Sequence, residues 1–167
     1  FNAGKIATLY VPFEIDAENV VGTEVYKFKT VVKSDVDNRW KFKVSTASKI
    51  LPNTPYVVIP EGTQVTFDIP TSVTLNTTTE GETTAANSWE FVGAYQYEKF
   101  ILDNNKPVYL FADQARDGAK LGEFVKIADG AYINPMRAYL VYHKSAAAGM
   151  QKSASGTPGG HILLPDA

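Results

Sequence analysis

Residues 88–100 read SWEFVGAYQYEKF, and taken two at a time they divide cleanly. Trp89, Phe91, Gly93, Tyr95 and Tyr97 fall on one side, with Ser88, Glu90, Val92, Ala94, Gln96 and Glu98 between them. Successive side chains of a strand point to opposite faces, so four aromatics share one face around a single glycine. That face is either a platform for something flat, such as a sugar ring, or the inside of the protein. Each ring takes roughly 150–250 Å² out of water when covered. The carboxylates Glu90 and Glu98 and the amide Gln96 all lie on the alternate face. Trp89, Phe91 and Tyr95 are therefore expected inward. Tyr97, at the strand's end, is the ring expected to reach solvent.

The same period of two runs through the chain. Gly4 to Ile15 reads as a strand apolar on both faces, Ile6, Thr8 and Tyr10 on one and Ala7, Leu9, Val11 and Phe13 on the other. Such a strand is covered on both sides, and Pro12 marks a bulge or an edge in it. Residues 16–22 have room for at most one helical turn. Thr23 to Val32 and Arg39 to Thr46 predict a hairpin around the turn-forming residues 34–38. Along it Tyr26, Phe28, Trp40, Phe42 and Val44 alternate with Lys27, Lys29, Arg39, Lys41 and Lys43, a sheet buried on one face and wet on the other. Tyr56 to Ile59, residues 63–69, 72–77, 108–112, 123–128 and 136–143 supply further strands. Residues 77–87 and 113–122 read as loops. The count is about nine or ten strands, and no stretch sustains a 3.6-residue stripe.

These elements predict an all-β chain, an antiparallel β-sandwich of jelly-roll-like type with little or no helix. Residues 1–144 form the domain. Residues 145–167 are a glycine-, serine- and alanine-rich loop or linker, ending in a short apolar segment that suits a final strand. A chain of 167 residues is long enough to bury a core without covalent staples. It starts at Phe1 without a methionine, which suggests a piece of a longer protein.

Composition excludes several chemistries. With no cysteine there is no disulfide, thiolate nucleophile or cysteine-ligated metal. Sixteen Lys and Arg against eighteen Asp and Glu leave a net charge of -2, no overall pull toward nucleic acid. No apolar run is long enough for membrane insertion as a helix. The two histidines, His143 and His161, suggest no catalytic triad by their spacing, and no hydrolase or zinc-protease motif occurs.

Three sets of side chains remain to be weighed. Glu14/Asp16, Glu90/Glu98 and Asp113/Asp117 are the carboxylate pairs that glycoside hydrolysis would need. Asp35, Asp37 and Asp103 lie in oxygen-rich turns that suit Ca²⁺, though Asp and Asn are also what tight turns require. No other metal and no cofactor is indicated. Stacking aromatics are the strongest case: Trp89 and Tyr97 with Gln96 and Glu98, or Trp40 with Tyr26, have the composition of a sugar-binding surface.

The order of short motifs carries a resemblance. Thr8, Leu9, Pro12 and Phe13, then Pro52 to Tyr56, then Phe91, Gly93 and Tyr95, then Arg137, Ala138 and Tyr139 follow one another over about four-fifths of the chain. The series resembles β-rich modules of large secreted or cell-surface proteins of anaerobic gut bacteria, where it runs TLxLPF, TPY, FxGxY and RAY. This chain departs from it in LPNTPY, which lacks a glycine, and in Met136, where an aromatic is common. The resemblance implies an extracellular or cell-surface location and a structural or adhesive unit attached to neighbouring domains, with no catalytic residue to carry over. Pro12, Gly93 and Tyr139 are then structural. Arg137, on an otherwise apolar strand, is expected to pair with a carboxylate or with backbone carbonyls.

The expected function is accordingly a non-catalytic extracellular structural or adhesion module, its partners a polysaccharide, another surface protein or its own neighbouring domains. The alternative is a carbohydrate-binding module using exposed Trp or Tyr, and the third reading is a glycoside-active enzyme fragment.

Overall fold

The computed structural model describes residues 1–76, 84–86, 88–112, 123–144 and 160–163. They form an all-β architecture. The largest sheet contains β1 (Ala7–Leu9), β4 (Thr23–Lys33), β5 (Trp40–Thr46), β7 (Tyr56–Pro60), β9 (Thr84–Ala86), β10 (Trp89–Ala94), β12 (Val108–Phe111), β13 (Glu123–Lys126), β15 (Arg137–Tyr142) and β16 (Gly160–Leu163). Six two-residue strands pair off separately: β2 (Ile15–Asp16) with β6 (Lys49–Ile50), β3 (Val20–Val21) with β8 (Thr66–Phe67), and β11 (Glu98–Lys99) with β14 (Tyr132–Ile133). A 3-10 turn covers Ala17–Asn19. Among the described residues no helix is long and apolar enough to cross a membrane.

The large sheet runs β1-β7-β4-β5-β16-β13-β12-β15-β10-β9, and all its pairings are antiparallel except β16 with β5. Its two halves face each other. Tyr26, Phe28, Phe42, Val44 and Val57 of one half pack against Trp89, Phe91, Tyr109, Phe124 and Leu140 of the other, all buried. This is the sandwich core that the alternation predicts. A second cluster covers the back of β1, β7 and β4 with Leu9, Val11, Ile15, Val20 and Ile50. A third covers the back of β10 and β15 with Ala94, Phe100, Ile133, Tyr139 and Val141. Strands apolar on both faces are thus sandwiched twice.

The described residues hold sixteen strands, many of two or three residues, because several predicted strands are cut short. Gly4 to Ile15 is broken after Leu9: the amide of Tyr10 donates across to Met136 O at 3.1 Å, and the bend at Pro12 precedes β2. Residues 72–76 form no strand despite their Val/Thr alternation. Asn76 instead donates its backbone N–H to Pro12 O at 2.6 Å. In the β4–β5 hairpin the register shifts between Phe28 and Thr30. The extra residue rephases the strand, so that Phe28 and Val31 both face inward three positions apart. The turn closes as Asn38 takes φ 55°, a left-handed conformation Asn tolerates.

Burial also sets the alkaline limit of the fold. It lifts the phenols of Tyr10, Tyr56 and Tyr95 above their ordinary value near 10, and those of Tyr109 and Tyr139 to about 12. Tyr26 also reaches about 12, chiefly through its hydrogen bond to Glu24. Above pH 10 the unfolded chain ionises its tyrosines while the folded chain keeps them protonated. The unfolded state then binds fewer protons, and stability falls as pH rises. Denaturant midpoints are expected to decline between pH 10 and about 12. Tyrosinate absorbance should grow with unfolding. A midpoint flat across that window contradicts the burial of these rings.

Candidate functional site

Some of the motif residues meet on one seam, while Leu9, Phe13 and Tyr139 pack in the other clusters. Pairing of β12 with β15 covers Val108↔Val141 and Tyr109↔Leu140 and then stops, while β12 continues along β13 to Phe111. Where β15 loses that neighbour, β1 takes its place with a side chain. Ala138 donates its N–H to Thr8 Oγ1 at 2.8 Å, and the Thr8 hydroxyl donates to Ala138 O at 3.2 Å. Thr8 is buried and satisfies both backbone groups of Ala138. The Arg137 guanidinium donates to Thr8 O at 3.1 Å and lies 4.1 Å from the ring centre of Phe1.

Just past β1, the Tyr10 ring lies directly over Gly93, whose cross-strand partner is Ala138. Tyr10 in turn packs on Tyr95 at 4.3 Å between centroids. The Tyr95 hydroxyl donates to Asn53 Oδ1 at 2.5 Å, and Asn53, with φ 57°, donates its N–H to Val11 O at 2.9 Å. Thr8, the 52–56 segment, Gly93 with Tyr95, and Arg137 with Ala138 therefore meet within one hydrogen-bonded node. Their chemistry there is structural.

Two of the proposed stacking rings are not available, a correction to the sequence expectation. Trp89 is 1% exposed, enclosed by Trp40, Tyr109, Phe124 and Tyr142 at centroid distances of 4.8–6.0 Å. Tyr26 is buried, its hydroxyl donating to Glu24 Oε2 at 2.5 Å. Both face inward because covering a ring outweighs wetting it. Trp40 is half-buried against Trp89 and Tyr142.

Tyr97 is different. It is 58% exposed and stacks at 5.1 Å on Tyr132, itself 54% exposed. The two rings stand on the β11–β14 flap, where Lys99 pairs across from Tyr132. Gln96 and Glu98 beside Tyr97 are exposed. Ile101 (90% exposed), Leu102 and Met136 add apolar surface on and near the same flap. Tyr132 was missed in the sequence, where it is an isolated aromatic between a turn and Asn134-Pro135. Only its tertiary partner marks it.

Tyr132 also forms one wall of a cleft of about 400 Å³. The cleft opens where β12 and β15 splay apart. Leu110 and Phe111, Arg137 and Ala138, and Ala7 and Thr8 line it. Lys5, Asn2 and Asn134 supply its polar rim.

The remaining candidates are engaged elsewhere. His143 Nε2 lies 2.7 Å from Glu90 Oε2 on the back of β10 and β15, a pair that only the strand register brings together. Glu14 and Asp16 both approach Lys49 Nζ, at 2.7 and 3.7 Å. Asp37 lies 3.4 Å from Lys41 Nζ and accepts from Arg39 N at 3.3 Å, and the Ser34 hydroxyl leads in holding its carboxyl below the ordinary range. Asp103 accepts from Asn105 N at 2.8 Å, as a turn aspartate does, and Asp35 is exposed. Among the described residues no three His, Asp or Glu side chains come together as metal ligands would. Asp113, Asp117 and the side chain of His161 lie outside the described residues. Comparison of the chain with protein families, with characterised proteins and with solved structures finds no match.

Proposed function

We propose that the chain is a non-catalytic module of an extracellular or surface protein, structural or adhesive in role, whose recognition surface is the Tyr97–Tyr132 corner. The observation that carries this reading is the exposure of two stacked tyrosines on a flap that also presents Ile101, Leu102 and Met136. Large apolar groups gathered outside the core mark a contact surface more often than chance placement does. The carboxylates Glu14, Asp16 and Glu90 are held by Lys49 and His143, which suits support of the surface better than turnover.

A second reading, carbohydrate binding, is favoured by the same pair. A rigid ring with one free face and neighbouring Gln96, Glu98 and Lys99 offers what a pyranose needs, an apolar plane edged by donors and acceptors. Affinity gel electrophoresis over several plant and host glycans tests it. Retardation should fall about tenfold in Tyr97→Ala/Tyr132→Ala, the loss of roughly 1.4 kcal/mol of binding. Thermal melting should be unchanged, since both rings are exposed. Retardation that survives in the double variant removes the corner from consideration. Turnover of any glycan by the chain overturns the non-catalytic reading.

A further inference from the structure

We infer that the cleft beside Arg137 binds the carboxylate of an acidic saccharide, with Tyr132 as its stacking wall. This rests on the carbohydrate reading of the Tyr97–Tyr132 corner and adds to it a charge selectivity that the corner alone does not have.

The cleft's lining is one-sided in charge. Among the described residues its lining side chains include two cations, Lys5 and Arg137, two amides, Asn2 and Asn134, and no carboxylate, although the whole chain is net acidic. A concave surface lined by one sign concentrates the opposite sign within it. Its volume of about 400 Å³ falls in the range of small-molecule sites.

The two cations are held differently. Arg137 is fixed by Thr8 O and by the Phe1 ring, so its guanidinium needs little ordering when a ligand arrives. Lys5 forms no ion pair among the described residues and is half-buried at the rim, free to swing onto an anion. Amides of Asn2 and Asn134 both donate and accept, as ring hydroxyls require. Tyr132 belongs at once to the cleft wall and to the exposed stack, so one sugar of a chain would lie over the rings while its neighbour enters the cleft. An acidic peptide would use the cations, but it would have no use for an aromatic plane continuous with them.

Trigalacturonate and its methyl ester share one sugar backbone but only the acid carries charge, and titration calorimetry with both tests the inference. The acid should bind at least about tenfold more tightly than the ester, and added salt should narrow the difference. Lys5→Glu and Asn134→Asp, both outside the core, should each remove the preference without moving the melting temperature. Equal affinity for acid and ester, with binding of both still lost in Tyr97→Ala/Tyr132→Ala, overturns the cleft but leaves the saccharide reading standing. Binding of neither overturns the cleft, and with no glycan retarded in the gel it overturns the saccharide reading too. A preference that persists in folded Lys5→Glu, or polyglutamate binding as tightly as trigalacturonate, overturns the assignment as well.

Discussion

Trp89→Ala is expected to reduce the free energy of unfolding by about 3–5 kcal/mol. The residue is among the largest fully buried side chains, and its ring touches aromatics from both halves of the sheet: Trp40 of β5 on one side, Tyr109, Phe124 and Tyr142 on the other. Truncation leaves a hole bounded by rings that cannot collapse into it, since each is pinned by further ring contacts. Domains of this kind have only about 5–15 kcal/mol to lose, so the variant should melt far earlier. Trp89→Phe provides the control. The indole N–H is buried without an acceptor among the described residues, and Phe removes that group as well as part of the ring. Its cost should be about 1–2 kcal/mol, well below that of Ala. Guanidinium denaturation measures both. A loss below about 1 kcal/mol for Trp89→Ala would mean that the ring is not in the core.

Gly93→Ala is expected to be as damaging, by the opposite mechanism. A Cβ at this position falls onto the ring carbons of Tyr10, far inside van der Waals contact. Tyr10 cannot retreat, because its ring is buried and packed against Tyr95, whose hydroxyl is tied to Asn53. Overpacking typically costs about 1–3 kcal/mol, and where neither partner can move the upper end or more is expected. A double-mutant cycle separates this clash from any general intolerance of β10. In a Tyr10→Ala background the penalty of Gly93→Ala should shrink to a few tenths of a kcal/mol or become a gain. If it stays at full size, the glycine is required for another reason.

The aromatic strand at 88–100 shows what a sequence can disclose and where it stops. Period two assigned Trp89 and Phe91 to the inside, whereas Tyr97 shares their phase and reaches solvent because β10 ends at Ala94, before it. The same rule sorted β1 and the residues just after it, where Leu9 and Val11 enter one cluster while the Tyr10 ring lies on Gly93. Alternation says nothing about which strand lies beside which. The His143–Glu90 pair needed the register of β10 on β15, and the Tyr97–Tyr132 stack needed the pairing of β11 with β14. The bulge near Lys29 was equally hidden, since a single inserted residue leaves no mark in composition. Residues 72–76 erred in the other direction: β-branched content without a partner edge makes no strand. The cleft arises from a divergence of two strands, a property of the backbone that no residue type announces.

The hydroxyl of Thr8 has a consequence in time as well as in space. It joins residues 130 apart in the chain. Closing so long a loop is entropically slow, so hairpins such as β4–β5 should form well before β1 finds β15. Contacts made after the rate-limiting step leave the folding rate untouched and act on the escape from the native state. Thr8 and Tyr10 would then govern how long the folded molecule lasts rather than how fast it is made.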